Sequence, residues 1–229
     1  MSSGRDTRAD PASAAGSTSA RDHDGEPTAA AVRAALAATR GVRAPLVLLD
    51  GPSGAGKSSL ADALRTNWPG AAPVLVRLDD VYPGWRGLER AGDALARTLV
   101  RRRRRGDIGG WRRWDWARDR PGVLERVHPG RALIIEGCGA FAAGADAPDA
   151  VRIWIHAPDA VRRRRALDRD GGAYDPFWDL WERQWRRYVH RTEPARYAAV
   201  RLRAAPDGRV EPEPVAGAAP VHARSRGLT

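Results

Sequence analysis

Apolar residues fall in short runs along this chain, and helical spacing fills the stretches between them. Pro45 to Asp50 (Pro-Leu-Val-Leu-Leu-Asp) is apolar without alternation, which predicts a strand buried on both faces. Val74–Leu78, Ala132–Ile135, Val151–Ile155 and Ala198–Leu202 predict further strands of the same kind. Between and around them Thr28–Arg40, Lys57 to about Asn67, Glu89–Arg105, Asp159–Asp170 and Asp175–Arg191 predict helices. Strands separated by helices argue for an α/β domain: a parallel sheet of about five strands with helices on both faces. Trp178, Trp181 and Trp185 recur on one face of the last helix and read as core packing. Trp111, Trp114 and Trp116 lie in a stretch read as a loop. Residues 1–27 and 206–229 hold few large apolar side chains and read as disordered tails, leaving one domain at 28–205.

Charge sharpens this picture. The 229 residues carry a formal +11, and the tails hold −2 and zero, so residues 28–205 carry +13. Of the 39 basic residues, 38 are arginine, which fits a GC-biased genome and weakens the charge as a nucleic-acid signal. The lone lysine, Lys57, is the informative one. No run of about 18 apolar residues predicts a membrane span, and the first 27 residues show no apolar leader core. The single cysteine, Cys138, makes no internal disulfide and reads as a small core residue in a reducing, cytoplasmic setting.

Gly51-Pro-Ser-Gly-Ala-Gly-Lys-Ser58 fits G-x-x-x-x-G-K-[ST], directly after an apolar strand and before a helix. In such a loop glycines let the backbone wrap phosphates, and its amides point inward beside a helix start. Gly51, Ser53, Gly54, Ala55, Gly56, Lys57, Ser58 and Ser59 are the candidate nucleotide contacts. Lys57 is expected to reach the β- and γ-phosphates, and the Ser58 hydroxyl to ligate Mg²⁺. The fold expected is therefore the three-layer P-loop NTPase fold. Asn67 is followed by Trp68, so the guanine-reading N-K-x-D motif is absent, and Gln184 follows Arg183 rather than a transporter signature. Small kinases of metabolites remain as the main class.

The second strand runs into Leu78-Asp-Asp-Val-Tyr-Pro-Gly-Trp85, which sets carboxylates at the crevice end of a parallel sheet. A carboxylate there can accept the proton of an attacking hydroxyl. Tyr82 and Trp85 are candidate ring-stacking partners. The third strand stays apolar until Glu136, and a buried carboxylate needs a cation or donors; Mg²⁺ beside the phosphate loop would supply one, an arginine another. Arg101–Arg105 reads as a solvated helix end. Arg162–Arg165 starts a helix, where positive charge opposes the dipole and points to a bound anion such as ATP phosphate. Arginines interleaved with Trp111, Trp114 and Trp116 suit a pocket wall better than nucleic acid.

Phosphate loop, Asp-x-x-Tyr, Glu-Gly after an apolar strand and an arginine-rich helix ending Arg-Asp together resemble the uridine kinase family; phosphoribulokinase and pantothenate kinase are similar. The resemblance spans Val47 to Asp170. It implies Asp79 as catalytic base, Tyr82 with Trp114-Asp115-Trp116 at the acceptor, Glu136 organising Mg²⁺, and Arg162, Arg165 and Arg169 as lid arginines on the phosphates. The segments after Tyr82 and after Asp170 depart from the family, as does the last strand. The expectation is an ATP-dependent kinase of a small hydroxyl-bearing metabolite, a nucleoside such as uridine being one such acceptor. A nucleotide or sugar kinase, or a nucleotide-regulated RNA-binding ATPase, are the alternatives. ATP and Mg²⁺ are the expected cofactors and a small-molecule acceptor the expected partner, with nucleic acid disfavoured, no membrane partner and the oligomeric state open.

Overall fold

The computed structural model describes residues 26–205, 207 and 209–213. Most of the sequence assigned to the tails (1–25, 206, 208 and 214–229) lies outside the described residues.

The chain begins with α1 (Ala29–Ala37), whose start is capped by the Thr28 hydroxyl accepting from Ala31 N at 3.2 Å. Then come β1 (Leu46–Asp50), α2 (Lys57–Thr66), β2 (Val74–Arg77) and a 3₁₀ turn at Leu78–Asp80. The long helix expected over Glu89–Arg105 is α3 (Leu88–Leu95) and α4 (Arg101–Arg104), joined through π-helical turns at Ala96–Val100. After it come β3 (Gly109–Asp115), β4 (Arg120–Val127), β5 (Leu133–Glu136), α5 (Ala140–Ala143), β6 (Val151–His156) and α6 (Asp159–Arg169). The chain closes with α7 (Trp178–Thr192), β7 (Val200–Ala204) and β8 (Val210–Pro212).

The main sheet has six strands in the order β2-β5-β1-β6-β7-β8. The first five are parallel, and β8 runs antiparallel to β7. Side-chain alternation divides the core between the two faces. Leu46, Leu48, Leu133, Ile135 and Trp154 pack with α3, α5 and α7. Val47, Leu49, Ile134, Ile153 and Ile155 pack with α1 and α2. Trp178, Trp181 and Trp185 join the first of these clusters, as helix-face packing predicts.

The structure corrects the sequence reading of these elements in two places. The Trp111–Trp116 stretch is a hairpin, β3 paired with β4, rather than a loop. Its pattern was hidden by arginines on the exposed positions, by Pro121 and Gly122 within β4, and by a bulge between Arg112 and Trp114. The domain also extends past both assigned boundaries. Thr28 N donates to Val210 O at 2.9 Å and Val210 N to Glu26 O at 3.0 Å, so the beginning and end of the domain are stitched together. Val210, between Arg209 and Glu211, is fully buried, and with the backbone bonds to β7 it anchors this edge strand.

Arg101–Arg105 ends a helix and is exposed except at half-buried Arg103, as the sequence predicts, but several of its side chains are also tied down. Arg101 pairs with Asp146 at 2.6 Å. Arg102 Nε donates to Ile108 O at 3.1 Å, and Arg103 donates to the carbonyls of Ala44 and Arg131. Those carbonyls precede β1 and β5, at the end of the sheet opposite the phosphate loop. The run therefore satisfies backbone acceptors where strands begin. Arg103→Ala should cost about 1–2 kcal/mol, a fall of roughly 2–8 °C in melting temperature. Activity per folded molecule should be unchanged. A melting temperature equal to wild type would show that water serves these carbonyls equally well.

Candidate functional site

The carboxyl ends of β1, β5 and β2 converge, because Glu136 is in register with Leu49 on one side and Arg77 on the other. Each strand thus delivers its last polar residue to one edge. The phosphate loop leaves β1 there and runs into α2. Gly51 and Gly54 have φ of +152° and +76°, and a Cβ on them would lie 2.1 Å from Ile155 O and 2.0 Å from Arg162 O. Only glycine permits both the dihedral and the approach. The loop is therefore wedged against β6 and the first turns of α6. Gly56 (φ +90°) opens α2 and points its first amides toward the cradle. Ala55 is buried beneath it.

Lys57 is buried, and its Nζ donates to Pro52 O at 2.8 Å, lying 3.7 Å from Cys138 Sγ. Ser58 Oγ donates to Glu136 Oε1 at 3.0 Å. Arg77 Nη1 reaches the same oxygen at 3.2 Å, and its Nη2 holds Asp62 at 2.8 Å. Of the partners weighed from the sequence, the arginine is present as Arg77, and the Ser58 hydroxyl is a further one. Burial pushes its carboxyl up, Asp79 pushes the same way, and Lys57 and Arg77 oppose them. A hydroxyl and a buried carboxylate converging at 3.0 Å suit a hard divalent cation, so Ser58 and Glu136 fit Mg²⁺.

Asp79 and Asp80 lie on the 3₁₀ turn after β2, not on an extended segment, so the turn rather than strand alternation separates them. Asp80 pairs with Arg113 of β3 at 2.8 Å. Repulsion from the Asp79 carboxylate helps push the Glu136, Tyr174 and Cys138 groups up. Trp116 Nε1 donates to Asp79 O at 2.9 Å, so the hairpin grips this turn at both residues.

Several predicted acceptor and lid residues are placed differently. Tyr82 is fully buried, with its hydroxyl donating to Cys138 O at 2.8 Å and its ring against Trp181, so it underpins the cleft without lining it. Asp115 is engaged inside the hairpin, accepting from Arg118 N and Arg118 Nη1 at 3.1 Å each, and that hydrogen bonding holds its carboxyl below the usual range. Trp114 is half-buried with its indole Nε1 lacking a partner. Trp85 is half-buried, and protein rings stack on it: Phe177 at 4.5 Å and Tyr174 at 5.1 Å between centroids.

Arg162 is buried and held bidentately by Glu182 at 3.0 and 2.7 Å, with Asp159 at 2.8 Å on Nε. At this helix start the anions that hold Arg162 are the protein's own, Glu182 and Asp159. Arg165 bonds Ala205 O at 3.4 Å, and its buried Nη1 has no partner. Arg169 pairs with Asp170 at 3.0 Å and acts on Tyr174. Ser59 follows Ser58 in the first turn of α2.

Sequence reading missed Tyr174, whose hydroxyl lies 3.1 Å from Ser53 Oγ in the phosphate loop and whose ring is buried. It also passed over Asp50, the buried carboxylate that ends β1. The signal was present, since a charge ending an apolar strand is what singled out Glu136. Cys138 is buried as expected, yet it borders the site, 3.5 Å from Ser53 Oγ.

No family model matches the chain, and no curated protein matches it. Among solved structures it is similar to a possible uridine kinase from Bacillus stearothermophilus, at 18% identity and a TM-score of 0.48, over 71% of this chain and 90% of that one. The fold itself is the three-layer α/β fold with a phosphate loop on its central strand, flanked by β5 and β6. Among the described residues no helix is long and apolar enough to cross a membrane.

Proposed function

We propose that this chain is an ATP-dependent kinase that transfers the γ-phosphoryl of Mg·ATP to a hydroxyl of a small metabolite. The observation that carries the reading is the grouping of Lys57, Ser58 and Glu136 at the carboxyl end of the central strands, with Asp79 on the turn that follows β2. The loop amides and Lys57 bind and orient the phosphates. Held by Ser58 and Glu136, Mg²⁺ would neutralise phosphate charge. Asp79 accepts the proton of the acceptor hydroxyl, and Arg169 adds positive charge at the cleft mouth.

Trp85 already has ring partners in Tyr174 and Phe177, so a planar acceptor would have to displace them. Uridine is therefore one candidate for a panel rather than the assignment. An RNA-binding ATPase stays the alternative, with the exposed end of the arginine run as the surface it would use. The test is acceptor-stimulated ADP release across nucleosides, sugars and other hydroxyl metabolites, with Lys57→Ala as control. Turnover that no acceptor stimulates would remove the kinase reading.

The strap from Gly171 to Phe177 gives a further expected result. Its Tyr174 closes over Ser53, and Tyr174→Ala should open the loop to water. Acceptor-independent hydrolysis is expected to rise relative to transfer by about tenfold, equivalent to about 1.4 kcal/mol of lost discrimination. The ratio of ADP to phosphorylated product measures it, and an unchanged ratio would rule out a water-excluding role.

A further inference from the structure

The end of β1 holds a buried charge that the mechanism above does not use. Asp50 has no exposed surface. Its Oδ1 accepts from Gly51 N at 2.7 Å and Gly139 N at 2.9 Å. Its Oδ2 accepts from Phe141 N at 3.0 Å and the Tyr188 hydroxyl at 2.7 Å. Among the described residues no arginine or lysine is ion-paired with it. A buried carboxylate with only neutral donors is a poor device for stability, since its desolvation must be offset by hydrogen bonds alone.

What the carboxylate does offer is geometry. Its donors come from separate parts of the site. Gly51 is the first residue of the phosphate loop. Gly139 and Phe141 belong to the turn that follows Glu136 and starts α5. Tyr188 belongs to α7, which also grips Arg162 of α6 through Glu182 and the Trp85 carbonyl through Gln184 Nε2 at 2.8 Å. Only a carboxylate brings acceptors to all four donors at once. Asparagine offers one oxygen, and in either orientation its amide nitrogen would face at least one backbone N–H.

We propose that Asp50 is a positioning residue, locking the start of the phosphate loop to the Glu136 turn and to α7 so that Lys57, Ser58 and Glu136 meet the nucleotide in register. The inference rests on the kinase reading above, and it adds to that reading the group that holds the nucleotide half of the site together.

The test compares Asp50→Asn and Tyr188→Phe with wild type in the full chain. Measured are melting temperature, Mg·ADP affinity, kcat, and KM for ATP and for the acceptor. Melting temperature should fall in both variants, so it does not discriminate. In folded Tyr188→Phe, Mg·ADP affinity should weaken and ATP KM rise by about tenfold, the scale of one hydrogen bond to a charged acceptor. The acceptor KM should stay near wild type. Asp50→Asn should be worse in the same parameters, and if it fails to fold, Tyr188→Phe carries the test alone. Variants with lowered melting temperature but wild-type nucleotide affinity and KM at 25 °C would make Asp50 purely structural and overturn the proposal. A wild-type chain that binds no Mg·ADP would instead remove the kinase reading itself, an outcome the variants cannot mimic.

Discussion

Lys57→Ala is expected to abolish nucleotide turnover while the domain stays folded. Lys57 is the single lysine of the chain, and it is buried at the position where the loop presents its charge to phosphate. Removing one preorganised donor to developing charge typically costs about 10²–10³ in rate, and here a full charge goes with it. The fold should survive because Arg77 and Ser58 remain on Glu136, and Pro52 O loses only one partner. Turnover and Mg·ADP affinity should both collapse, while melting temperature moves by only a few degrees. Turnover within a few-fold of wild type in a folded variant would end the phosphate-loop assignment, whatever the loop's conformation.

The parts of this site that could be read in the sequence are those where one short segment fixes both position and chemistry. The phosphate loop is such a segment, since strand, glycines and helix start are contiguous, and its geometry depends little on the rest of the chain. Glu136 was legible for a related reason, a charge closing an apolar strand. The illegible parts depend on pairing between distant residues. Nothing local says that Arg162 will find Glu182, twenty positions later. Tyr82 and Tyr174 both read as cleft aromatics or not at all, yet one is sealed under Cys138 and the other lies against Ser53. The hairpin was hidden because its exposed faces carry arginine and its second strand contains Pro121 and Gly122. Periodicity reports burial, and a two-stranded ribbon with one half-buried face offers little of it.

The same contrast between local and distant partners decides the role of the aspartate pair. Asp79→Asn is expected to lower acceptor-dependent turnover by about 10²–10⁴-fold, the usual contribution of a general base. Mg·ADP affinity should stay near wild type, since the asparagine keeps the shape and the loop contacts are untouched. Asp80→Asn removes the ion pair with Arg113, both of whose side chains are partly exposed. Such a pair is worth about 0–1 kcal/mol, so turnover should change little. The Trp116 indole on Asp79 O holds the turn in place in both variants. Nucleotide affinity and acceptor-dependent turnover, measured side by side, separate chemistry from binding. If Asp80→Asn is the crippled variant, the turn presents the other carboxylate to the acceptor and the assignment moves by one residue. If neither variant is crippled, the proton is taken elsewhere. The strand-end carboxylate then loses its role as base, and Glu136 and Asp79 become a paired acidic lining that serves the cation alone.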